Sequence, residues 1–123
     1  MAFPRILLAL PLLAAGAFLP PLGPEPAKAP DGAVGMEHET FAVEEVTVHR
    51  GQSLLFVNDS RYMHILGPGN EGILSEEAGS PANERALMPT NDTYTLGPFN
   101  VVGTFNITCT MHPEMNIKVV VTE

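Results

Sequence analysis

The chain has 123 residues, of which 45% are hydrophobic, with 12 Pro and 11 Gly. That length allows one small domain; the composition excludes a disordered chain, and so much Pro and Gly excludes a helical bundle. A formal charge of −8 excludes a nucleic-acid binder, because an acidic surface repels phosphate.

The first segment reads as an export signal: Arg5, then an apolar core over residues 6–19. Pro11 and Pro20-Pro21 break it too early for a comfortable membrane span, and a retained anchor is the weaker reading. Small-residue cleavage patterns stand at Ala15-Gly16-Ala17 and Ala27-Lys28-Ala29. The second divides the chain into a signal peptide (1–29), a flexible lead-in (30–38) and one domain (39–123). No membrane span is expected in the mature form, which would be periplasmic or extracellular, with association at the cell surface left open.

Strand-like alternation begins at Phe41 and Val43 and resumes at Val46 and Val48, with a bulge or bend expected at Glu44-Glu45. Gly51 punctuates it, and Ser53 to Val57 follows as a short buried-type strand. Asn58-Asp59-Ser60 is a turn. Tyr62 to Leu66 reads as a strand closed by Gly67-Pro68-Gly69. Residues 67–91 are the least regular, with one stretch, Ala82 to Met88, expected as a short helix. Thr93 to Leu96 alternates again. Val102 to Cys109 and Ile117 to Thr122 form two strands around a tight loop. The fold class expected is all-β, a Greek-key β-sandwich with a metal site at one end.

That loop carries the chemistry. It reads Cys109-Thr110-Met111-His112-Pro113-Glu114-Met115, spacing a thiol, an imidazole and a thioether three residues apart. His64 supplies a second imidazole far upstream. A solitary cysteine in an exported chain calls for an account, since oxidising compartments favour paired ones. Two His and one Cys with a weak axial Met are the ligands of blue copper sites, where the metal changes charge with little rearrangement. A Cys–His nucleophile pair is the enzyme alternative, but it lacks an orienting group and leaves Met115 without a role. Zinc is chemically possible, although a thioether is a poor zinc ligand. His38 and His49 are expected to face solvent, an accessory copper site at His38 being a minor alternative.

Gly103-Thr104-Phe105, Cys109-Thr110, His112-Pro113, Met115 and Lys118-Val119-Val120-Val121 together resemble the amicyanin branch of the cupredoxins. Phe56-Val57-Asn58 with His64 resembles that family's first-ligand region. The resemblance implies one copper ion held by His64, Cys109, His112 and Met115, with His112 nearest the surface. It implies one-electron transfer by Cu(II)/Cu(I) cycling and no enzymatic chemistry. It also implies a monomer that docks a redox partner near His112, and a reduction potential that rises in acid if His112 leaves Cu(I) and takes a proton. A copper chaperone or storage module is the alternative function on the same ligands. Two departures stand out: Ile65 replaces an Asn whose side chain links to the residue after the cysteine, and Glu114 makes the docking patch more acidic.

Overall fold

The computed structural model describes residues 25–30 and 32–123, so residues 1–24 of the expected signal peptide lie outside the described residues. Eight strands follow in order: β1 (Glu45–His49), β2 (Leu54–Val57), β3 (His64–Asn70), β4 (Ile73–Leu74), β5 (Ala86–Met88), β6 (Thr93–Leu96), β7 (Gly103–Cys109) and β8 (Asn116–Thr122). The larger sheet runs β1-β8-β7-β3-β4, with β5 also pairing to β3, and the smaller one is β2-β6. β1 lies parallel to β8, and the other pairs are antiparallel. This is the all-β sandwich expected. Among the described residues no helix is long and apolar enough to cross a membrane.

Period-two alternation explains the layering. In β8, Ile117, Val119 and Val121 are buried while Lys118 faces out. In β7, Phe105, Ile107 and Cys109 share one buried face. They meet Phe56, Leu54, Leu96 and Phe99, giving one continuous core. Each such side chain contributes roughly 1.5–3 kcal/mol through burial.

Three sequence expectations change. The strand from Tyr62 does not end at Gly67-Pro68-Gly69: β3 starts at His64 and runs to Asn70, with Pro68 opposite Ile107. Pro68 has no N–H to give, but its carbonyl accepts from Ser75 N–H (2.9 Å). Gly69, at φ 139°, lies within β3 opposite Leu74, where a Cβ would strike the Ile73 carbonyl, and the chain turns after it at Glu71-Gly72. The expected helix over Ala82 to Met88 is absent; Ala86–Met88 is a strand on β3. Its burial alternates, Leu87 out and Met88 in, because the open edge of β3 offers hydrogen bonds that outweigh a weak local preference.

Third, within residues 30–38, expected from composition as a flexible lead-in, residues 34–36 are packed. Val34 and Met36 are buried, Val34 bridges to Phe56, and Met36 bridges to Phe41 across a tight turn at Glu37–Thr40. Asp59 anchors this hairpin by accepting from Met36 N–H (2.7 Å). The expected bend at Glu44 is present, and β1 begins immediately after it.

Candidate metal centre

Strand ends bring together candidate ligands that are distant in sequence. Leu66 of β3 lies opposite Cys109 of β7, so His64, two residues earlier on the same face as Leu66, opens beside the cysteine at one end of the sheet. Cys109 Sγ is 3.8 Å from His64 Nδ1 and 3.6 Å from His112 Nδ1. All three donor atoms lie within 4.8 Å of one another. Donors sharing one ion at about 2.0–2.3 Å in a trigonal plane stand about 3.5–4 Å apart, so the trio fits a single metal. His64 and Cys109 are fully buried, and His112 is partly exposed. Met115, the fourth residue named from sequence, is also fully buried.

A polar network sets the state of His64. The Asn58 amide donates to the carbonyls of Tyr62 (2.6 Å) and Met88 (2.8 Å), which leaves its oxygen to accept. Ser60 Oγ donates its one proton to that oxygen (2.6 Å). The hydroxyl can therefore only accept from His64 Nε2, 3.1 Å away. By this network the proton sits on Nε2, and the lone pair of Nδ1 faces the sulfur. Burial, reinforced by the nearby His112, lowers the His64 pKa to about 4 against a smaller opposing pull from the Glu37 backbone. The ring is neutral at ordinary pH, as a metal ligand must be.

The loop from Cys109 to Met115 is tied on every side. Cys109 N–H donates to the Met115 carbonyl (3.1 Å), and Met115 N–H to the His112 carbonyl (2.9 Å). Thr110 N–H donates to the Ile65 carbonyl (2.9 Å). A backbone bond thus makes the link that Ile65 cannot make through its side chain. The β3–β4 turn braces the loop from outside: Gly72 N–H donates to Thr108 Oγ1 and Glu71 N–H to Asn116 Oδ1, each at 2.8 Å. Part of the irregular segment 67–91 therefore supports the site.

Sequence reading missed Ser60 and the β3–β4 turn, since neither carries a motif. For His38 it gave solvent exposure, with an accessory copper site as a minor alternative, and no contact with His112. That residue is exposed as expected, yet it lies against His112, with ring centroids 5.2 Å apart. His49 faces solvent at the far end of β1, outside the donor cluster.

Amicyanin of Paracoccus versutus is 33% identical to this chain over 88 residues, 72% of the chain. The match spans 62% of that relative's length. Its crystal structure is 30% identical with a TM-score of 0.58, covering 76% of this chain and 84% of that one.

The chain belongs to the cupredoxin family.

Among cupredoxins, an amicyanin variant solved in its reduced Cu(I) form at pH 4 is 28% identical, with a TM-score of 0.54 over 76% of this chain and 86% of that one. A purple cupredoxin from Nitrosopumilus maritimus has a TM-score of 0.60 at 15% identity, covering 75% of this chain and all of that one, a likeness of fold alone. No protein-family model matches the chain. The soft thiol with two imidazoles is a donor set that fits one copper ion.

Proposed function

We propose that this cupredoxin is an exported type 1 copper protein, a monomeric electron carrier and not an enzyme, with His64, Cys109, His112 and Met115 as its ligands. The observation that carries the reading is the preassembled trio of His64, Cys109 and His112, with its two inner members sealed from water. Copper, when bound, would supply a one-electron couple between Cu(II) and Cu(I). The protein's part is to hold that couple in one geometry. β3 and β7 fix His64 and Cys109, the Asn58–Ser60 network sets the imidazole tautomer, and the braced loop limits movement of His112 and Met115. A site that barely moves on changing charge exchanges electrons with little rearrangement. His112, partly exposed next to Met111, is where a redox partner would dock.

Export follows from the leader, by cleavage after Ala17 or after Ala29. Glu25, Ala27 and Ala29 are hydrogen-bonded to Asn91 and Asp59, contacts that only the earlier cut would keep. The mass of the protein recovered from the exported fraction distinguishes the two.

The test is to add Cu(II) to the purified domain and record visible absorption and voltammetry, alongside Cys109→Ser. An intense thiolate-to-copper band, lost in the variant, with reversible one-electron cycling is expected. A protein that binds Cu(I) but shows no band and releases its metal to a chelator on cycling would instead be a copper-handling module.

A further inference from the structure

The rings beside the metal centre form a row. His38 stacks on Tyr62 with centroids 3.7 Å apart and planes 13° from parallel. It meets His112 edge-on at 5.2 Å and 79°. His112 in turn lies 5.1 Å from His64, so aromatic rings run without a gap from the buried ligand to Tyr62, which is 45% exposed. Nothing in this row is held loosely at the backbone. His38 sits at the tip of the Glu37–Thr40 turn, closed by Glu37 N–H to the Thr40 carbonyl (2.8 Å) and rooted by the buried side chains of Met36 and Phe41. Tyr62 is pinned through its carbonyl to Asn58 and through its N–H to Ser60 Oγ (3.2 Å). Asp59 joins the two parts by accepting from Met36 N–H.

We propose that electrons enter and leave this protein through the His38–Tyr62 stack rather than through a bare edge of His112. The inference rests on the electron-transfer reading above and adds two residues that the ligand loop does not contain. Tunnelling falls steeply across empty or water-filled gaps and less steeply through groups in contact. His38 fills the space against the exposed ligand, and Tyr62 presents the outermost ring. The step moves one electron from the reduced site to the partner's acceptor; no bond forms or breaks, and no proton is transferred. The exposed carboxylates of Glu37, Glu39 and Glu114 belong to the same turn and ligand loop, so the fitting partner has a flat apolar contact rimmed by basic side chains.

A second copy of the protein can serve as the partner in the test. The electron self-exchange rate is measured from NMR line broadening in mixtures of oxidised and reduced copper protein, at high salt to screen the acidic rims. His38→Ala and Tyr62→Ala should each slow exchange about tenfold, equivalent to about 1.4 kcal/mol of barrier, with the absorption band and reduction potential kept. His38→Phe and Tyr62→Phe, which retain a stacked ring, should restore the rate. In the metal-free protein, ring protons of His38 and Tyr62 should show cross-relaxation. An unchanged rate in either alanine variant, a loss that phenylalanine does not restore, or absence of that cross-relaxation overturns the proposal. Absence of a blue band in the unsubstituted protein would instead remove the reading beneath it.

Discussion

Ser60 Oγ lies 3.1 Å from His64 Nε2 and 2.6 Å from Asn58 Oδ1, and its single proton is committed to the asparagine. An uncharged hydroxyl, with the Glu37 backbone beside it, thereby favours the lone pair on Nδ1 of a buried histidine. Metal-binding imidazoles commonly have their second nitrogen held in this way, and the partner is worth about 10–100-fold in metal affinity.

Ser60→Ala should therefore weaken copper binding by about tenfold or more while leaving the fold intact. A competition titration with a copper chelator reads the change. Affinity equal to that of the unsubstituted protein would mean that packing and the Glu37 backbone orient His64 without the hydroxyl.

Asn58→Ala removes both amide donors from the Tyr62 and Met88 carbonyls, together with the acceptor used by Ser60. Buried groups left without partners should cost about 2–4 kcal/mol of stability. Urea unfolding of the metal-free variant checks this. A loss below about 0.5 kcal/mol would show that the carbonyls find other partners.

The metal-free protein should lose stability in acid through His64. Its folded pKa, lowered to about 4 by burial and His112, lies below the usual value of 6.5, so between those values the unfolded chain holds a proton that the folded one does not. The stabilising contribution is complete above about pH 6.5, falls as the pH drops, and is gone below about 4. Its size is on the order of 3 kcal/mol at most. Urea midpoints of the metal-free protein and of His64→Gln, taken from pH 7 to 4.5, should converge in acid if both remain folded. Two parallel curves would contradict the assignment.

Gly72 has φ 77°, and a Cβ there would sit 3.2 Å from Pro113 of the ligand loop. Gly72→Ala should cost about 1–2 kcal/mol of stability through backbone strain and push against the loop. The accompanying sign would be a shifted copper absorption band. A variant less stable but with an unshifted band would confine the effect to the β3–β4 turn.

Much of the candidate site was legible because its chemistry is local. Cys109, His112 and Met115 sit three residues apart, a spacing that any tight loop between β7 and β8 keeps close. The strands were legible where alternation was regular, as in β7 and β8. They were misread over residues 67–91, where Gly67-Pro68-Gly69 suggested a stop and Ala82 to Met88 a helix. There the pairing to β3 decided the outcome, and pairing partners are not written in a local window.

By itself the sequence determined an all-β domain and a cysteine-centred candidate ligand loop, because side-chain periodicity and short spacings act along the chain. Only the tertiary structure decided how the site is completed. The strand register sets His64, 45 residues from Cys109, within 3.8 Å of its sulfur. Folding of the segment before β1 carries His38 onto His112, and the β3–β4 turn comes to brace the loop. Each of these depends on which strands pair and on which side chains share the core, and those are properties of the whole chain.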